Sequence, residues 1–180
     1  AKMIEERPVR SRLHALPLMT VYASGFAGVA LGISRRFLDT FVALAQEKKP
    51  RGIAVPLSDN PVVQDEVARS EARLSAARAF LVETVARGWR EIETTGQMSI
   101  HQRMRIRLAG THGIHEAKAV VDTLFDTAGT SAVFASSPLE RRFRDVHTVA
   151  LQVQGRKRHF QTYGGWAMGH EVNANNMSVI

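Results

Sequence analysis

The stretch Phe125-Asp-Thr-Ala-Gly-Thr-Ser-Ala-Val-Phe-Ala-Ser-Ser-Pro-Leu-Glu-Arg-Arg-Phe-Arg-Asp-Val-His-Thr148 decides how this chain is built. An apolar-periodic helix arrives at Ala128-Gly129-Thr130-Ser131, a corner of small residues carrying free hydroxyls. Ser136-Ser137-Pro138 then reads as an N-cap followed by a first-turn proline, with Glu140 near enough to support it. The helix so begun carries Arg141, Arg142, Arg144, Asp145 and His147. Two helices meeting at a hydroxyl-rich corner, beside a helix N-terminus, make a natural seat for an anion such as phosphate. On pattern alone the plainer reading is stronger: a capped connector backed by a solvated basic face.

Outward from that corner the chain is helical in both directions. The first helix is expected from about Met19 to Gln46, with Val29, Ile33, Phe37, Phe41 and Leu44 on its inner stripe. Lys48-Lys49-Pro50-Arg51-Gly52 ends it with cations and helix breakers. Asn60-Pro61 opens a second helix reaching about Thr94, where Val67, Leu74, Leu81, Val85 and Ile92 keep heptad-like spacing and Ser70 and Ala77 are small neighbours on the seam. At about 35 residues that helix would be ~50 Å long, a length suited to a bundle that also packs on other subunits. Ser99 caps a third helix, with Ile100, Met104, Leu108, Ala117, Val121, Leu124 and Phe125 on its inner side. Gly110 and Gly113 inside it predict a close approach or a kink. The fourth helix runs from Pro138 to about Val153, and a short last one, about His159 to Met168, carries Phe160, Tyr163 and Trp166. No strand pattern survives. The expectation is an all-α, up-down four-helix bundle with a short extra C-terminal helix.

Composition narrows the function classes. The 180 residues include 44% hydrophobic and 23% charged side chains, ordinary for a chain that buries a core. With no cysteine there is neither a disulfide frame nor a thiolate metal site. The formal charge of +7 favours anionic partners, yet the arginines are scattered between carboxylates with no basic run interleaved with aromatics, which argues against nucleic acid. Ala15 to Ser34 carries no charge and is long enough to span a bilayer on paper. Its Pro17, Thr20, Tyr22, Ser24, Gly25, Gly28 and Gly32 point instead to a helix buried on every side within protein, not to a membrane span. Gly28 and Gly32 are expected to admit another helix's backbone. His112 and His115, one turn apart with Glu116 nearby, lack a clearly placed third ligand, so no metal site is assigned. No nucleophile elbow and no Gly-rich phosphate loop after a strand is present.

The segments Ala23-Ser-Gly-Phe-Ala-Gly-Val-Ala-Leu-Gly-Ile-Ser-Arg-Arg-Phe-Leu-Asp-Thr-Phe41, Lys49-Pro-Arg-Gly52 and Arg78-Ala-Phe-Leu81 resemble the C-terminal helical domain of the acyl-CoA dehydrogenase superfamily. Ala128-Gly-Thr-Ser-Ala132 with Leu139-Glu-Arg-Arg-Phe-Arg-Asp-Val-His-Thr148 narrows the likeness to its branch of two-component flavin-dependent monooxygenases. The resemblance implies that residues 1–18 are a linker, the end of a missing middle β-domain, with the bundle at 19–170 and a tail at 171–180. It implies reduced FMN or FAD as cofactor, lying between the middle domain and this bundle, with a neighbouring subunit completing the pocket. Gly129, Thr130 and Ser131 would then face the phosphate or ribityl end of the flavin. Arg51 and Arg144 are further cofactor-binding candidates, Arg51 across a subunit boundary.

Departures from the family carry equal weight. Dehydrogenases place a carboxylate in a Tyr-Glu-Gly segment shortly after Arg-Asp, to abstract the α-proton of an acyl thioester. Here that stretch is Leu151-Gln-Val-Gln-Gly155, with no acid, which disfavours acyl-CoA dehydrogenation. Monooxygenase relatives often carry a second histidine where this chain has Gln152, a hydrogen-bond donor that takes no proton at neutral pH. His147 and Gln152 are therefore the catalytic candidates. The resemblance implies a cytoplasmic homo-oligomer, dimer or dimer-of-dimers, served by a separate flavin reductase and acting on a small aromatic substrate. Alone, with half the pocket missing, the chain is expected to turn over nothing. The competing reading is an oligomerisation module without chemistry of its own.

Overall fold

The computed structural model describes residues 11–172, and among these all regular structure is helical. Residues 1–10 of the expected linker and residues 173–180 of the expected tail lie outside the described residues. Four helices build the bundle: α1 (Leu18–Glu47), α2 (Pro61–Thr95), α3 (Ile100–Ala128) and, after the one-turn α4 (Thr130–Val133), α5 (Pro138–Leu151). The short α6 (Arg158–Ala167) follows a 3-10 turn at Val153–Gly155. The all-α bundle with an extra C-terminal helix is thus the observed architecture.

Local chemistry sets the boundaries. The Asn60 side chain accepts from the Val62 amide at 2.9 Å and Pro61 occupies the first turn of α2. Gly96 ends α2 in the left-handed conformation at φ 81°, as a glycine does most readily. Glu91 Oε2 accepts from both the amide and hydroxyl of Ser99 (3.1 and 3.0 Å), and the Ser99 oxygen caps α3 by accepting from Gln102. Ser137 accepts from Leu139 at the start of α5. Glu140 does not close a capping box there; it pairs with Arg144.

α3 runs through the middle, against α1 on one side, α2 on another and α5 on a third. The core combines Phe37, Leu38 and Phe41 of α1, Leu74, Ala77 and Leu81 of α2, and Ile114, Val121 and Leu124 of α3. Leu139 and Val146 bring α5 onto it. The seam expected on α2 is therefore the buried one.

Three expectations are corrected. The charge-free half of α1 is not buried on every side: Val21, Tyr22, Phe26 and Val29 are exposed, Val29 by 53%. Gly28 and Gly32 share that open face, where an added β-carbon would meet nothing within 4 Å. Close approach occurs at Gly110 instead, where a β-carbon would sit 2.9 Å from the Ala23 carbonyl oxygen. α3 continues through Gly110 and Gly113 as one helix, so the glycines serve packing and not a kink. Finally, α5 stops at Leu151, because Gln152 turns to extended backbone (φ −72°, ψ 171°) and caps the next turn.

Among the described residues no helix is long and apolar enough to cross a membrane.

Candidate functional site

The candidate residues fall into two groups at different levels of the bundle. The first is the corner at the C-terminus of α3. Gly129 adopts φ 57° and ψ −145°, a backbone region reserved for glycine, and its amide closes α3 by donating to Phe125 and Asp126 at 3.1 Å. Lys48 reaches over from the end of α1, and its Nζ donates to the Ala128 carbonyl at 2.5 Å. That ammonium offsets the negative end of the α3 dipole and lies beside Gly129. Thr130 is exposed and Ser131 half-buried on the one-turn α4. Arg51 is exposed in the turn Pro50–Ile53, which Gly52 permits at φ 81°. Arg144 grips Glu140 with two hydrogen bonds (2.6 and 3.0 Å) on the outside of α5. No hydrogen bond among the described residues ties Arg51 or Arg144 to the corner. Lys48 is the cation that does reach it. Its position in the cationic end of α1 was readable in sequence, but its contact eighty residues away was not.

The second group surrounds Gln152. The 3-10 turn after α5 has every carbonyl held by a side chain from another helix. His159 Nε2 donates to Val153 O (2.8 Å), Thr111 to Gln154 O (3.4 Å) and His115 Nε2 to Gly155 O (2.9 Å). Arg107, itself buried within α3, donates to the Gln154 side chain and reaches Met19 O at 3.5 Å. Burial pushes the Arg107 guanidinium down to about 10, still cationic at neutral pH. Burial likewise lowers His159 below the usual histidine range, offset in part by its bond to Val153. Because its Nε2 is the donor, the buried Nδ1 is left as an acceptor with no protein partner.

This anchoring fixes Gln152. Its Oε1 accepts from the Gln154 amide at 2.9 Å, so the side-chain amide has one sense, and its Nε2 is a buried donor without an acceptor. Leu151 and Val153 on either side project outward, Leu151 by 84%. The turn is thus rigid, with an unmatched donor beneath its surface and apolar neighbours outside. It has no carboxylate with which to remove a proton.

His147 of α5 pairs with Asp122 of α3 (Nε2 to Oδ1 3.1 Å), while its Nδ1 lies 2.7 Å from the Phe143 carbonyl. His147 thus shares the Asp122 carboxylate with Lys118 and ties α5 to α3. It stacks on Phe143, which stacks on Phe125, each pair with centroids 4.1 Å apart. His112 and His115 do not converge on a third ligand: Glu116 is held by Arg73 at 2.6 Å, and His115 by Gly155.

Thr111 beside the Gln152 turn and Ala128 at the glycine corner are roughly 25 Å apart along α3, at ~1.5 Å per residue. One chain therefore does not bring Gln152 to the glycine corner.

Residues 24–155 match the family model described as acyl-CoA dehydrogenase, C-terminal domain. The chain belongs to that family. An indole-3-acetate monooxygenase of Pseudomonas putida is 31% identical over 121 residues, covering 67% of this chain and 31% of its own. The oxygenase component of p-hydroxyphenylacetate 3-hydroxylase from Acinetobacter baumannii is 30% identical over 146 residues, covering 76% and 32%. XiaF from a Streptomyces species, solved with FADH2 and glycerol, superposes with a TM-score of 0.80 at 20% identity, over 90% of this chain and 44% of that one. This last likeness is one of fold. The family domain spans about a third of the curated relatives it matches.

Proposed function

We propose that this chain is the C-terminal helical domain of a reduced-flavin-dependent monooxygenase that hydroxylates an aromatic or heteroaromatic small molecule. The observation that carries the proposal is the turn Gln152–Gly155. The resemblance matches it to the segment in which a dehydrogenase carries its base, and it offers a pinned amide donor and no acid. The two oxygenase relatives named above support the same direction.

The glycine corner fits the phosphate or ribityl end of FMN or FAD. Gly129 leaves room for close approach, the hydroxyls of Thr130 and Ser131 are donors, and Lys48 supplies positive charge at once. Arg51 and Arg144 are exposed cations that a partner chain's cofactor can reach. When bound, reduced flavin supplies the activation of dioxygen. The roles of this chain's residues are to bind, to orient and to exclude water. Gln152 donates a hydrogen bond to substrate or cofactor. His147, held by Asp122, ties α5 to α3.

The ~25 Å between the two groups supports a site shared between chains, each lending its corner to one cofactor and its Gln152 turn to another. The open α1 face of Val21, Gly25, Gly28, Val29 and Gly32 is the surface assigned to that assembly, a dimer or dimer-of-dimers. The same face is what favours the second reading, an assembly module without chemistry. The remaining assignments are a preceding β-domain ending at residues 1–18, the bundle at 19–170, a tail at 171–180, a cytoplasmic setting and a separate flavin reductase. Anaerobic titration of the complete protein with reduced FMN and reduced FAD tests the proposal. Saturable binding that weakens in Lys48→Ala and Gly129→Val variants is expected; no binding of either flavin would leave the assembly module standing.

A further inference from the structure

Arg107, Thr111 and His115 stand at successive turns on one face of α3, and all three reach the turn Val153–Gly155. Their targets differ. Thr111 and His115 hold backbone carbonyls, at 3.4 and 2.9 Å, whereas Arg107 donates to the side-chain oxygen of Gln154. We infer that Arg107 is a positioning residue for Gln152 and that it acts through Gln154. The inference rests on the reading of Gln152 as the donor of the site. Its test reads the placement of Gln152 without flavin, so either can fail alone.

Gln154 is the joint. It is 3% exposed; its side-chain oxygen accepts from Arg107, its carbonyl accepts from Thr111, and its amide donates to Gln152 Oε1 at 2.9 Å. Removing Arg107 strips that buried side-chain oxygen of its donor, and an unpaired buried acceptor costs more than a made bond contributes. The Gln154 side chain then turns toward water, its amide moves with it, and Gln152 Oε1 loses the contact that sets its sense. Arginine suits the task because its donors lie in a rigid plane. One nitrogen serves Gln154 while another lies 3.5 Å from the Met19 carbonyl in the first turn of α1, so the group is held at two points. The second point exists because Gly110 admits the α1 backbone: a β-carbon there would stand 2.9 Å from the carbonyl oxygen of Ala23, one turn beyond Met19. Arg107 is 4% exposed, and although burial lowers its pKa to about 10 it stays charged at neutral pH. An apolar side chain of similar length would fill the same space without burying a charge. The guanidinium therefore supplies direction, not bulk.

The test is amide hydrogen exchange in the isotope-labelled 180-residue chain, resolved residue by residue. Wild type is compared with Arg107→Lys, with Arg107→Met, and with Arg107→Met combined with Gln154→Met. The amide of residue 154 reports its bond to Gln152, while Val121 and Leu124 of α3 report the bundle. Arg107→Met is expected to speed exchange at residue 154 roughly tenfold relative to those core amides, the loss of one charge-assisted hydrogen bond. The side-chain amide signals of Gln152 should move at the same time toward those of a free glutamine. Arg107→Lys keeps a cationic donor and is expected to fall between wild type and Arg107→Met. The paired variant leaves no buried orphan, so it keeps the bundle even where the single one does not, and it should free Gln152 to the same extent. The inference is overturned if exchange at residue 154 rises only in step with the core amides. It is equally overturned if the Gln152 signals stay at their wild-type positions in the paired variant, or if Arg107→Lys behaves as Arg107→Met does.

Discussion

Gly155 lies so close to Ala150 that a β-carbon at position 155 would stand 2.3 Å from the Ala150 carbonyl oxygen and 2.8 Å from its carbonyl carbon. The obstacle is backbone at the end of α5, which cannot swing aside as a flexible side chain would. Gly155→Ala is therefore expected to lower stability by about 1–3 kcal/mol, the usual cost of forcing extra volume into a packed place. Urea unfolding followed by circular dichroism measures it. An unchanged midpoint would mean that the turn is looser than its hydrogen bonds indicate.

His159 gives the same turn a pH dependence with a defined sign. Burial holds its folded-state pKa below the ordinary value, so the unfolded chain takes up the proton first as pH falls. The stability contribution is full above about 6.5 and is lost as pH drops from there toward the folded value. His159→Gln, whose side-chain amide can still donate to Val153, should flatten the stability profile below about pH 6.5. Parallel slopes in both proteins would remove His159 from the account.

The open face of α1 makes a claim about assembly. Val29 is 53% exposed and stands among Gly25, Gly28 and Gly32, so Val29→Lys costs the isolated fold little. In a chain that assembles through this face the new charge would be buried and unpaired. Light scattering on a sizing column should show an oligomer for the wild type and a smaller particle for the variant. Equal masses would assign the interface elsewhere.

Much of this architecture is legible in local sequence, and the limits are instructive. Asn60-Pro61, Ser99, Ser137-Pro138 and Gly96 act within a turn of their own position, so they declare helix ends without knowledge of the fold. Leu74, Ala77 and Leu81 declare a seam by spacing. Glycines do not declare which neighbour they face: Gly28 and Gly32 look like a packing motif and lie open, whereas Gly110 carries the contact with Ala23. Side-chain partners far apart in sequence are silent in the same way. Nothing near His147 names Asp122 on α3, and nothing near Gln154 names Arg107. Gln152 is visible in sequence as a residue type, but the sense of its amide requires the Gln154 contact.

That orientation leads to a prediction about chemistry in the complete protein. Gln152→Leu removes the donor and should lower product formation while peroxide release rises. Gln152→His restores a group that titrates near 6.5, so product yield should acquire a pH-dependent limb there that the wild type lacks. If Gln152→Leu leaves yield untouched, the turn is structural only.

The most direct measurement is the fate of dioxygen. The complete protein, supplied with reduced flavin by a separate reductase under oxygen-18 gas, would be given indoles and phenols with and without an acidic side chain. One labelled oxygen atom in an aromatic product, with little peroxide, is the expected result. Peroxide as the sole product across the whole panel, at the rate seen with reduced flavin alone, would contradict it.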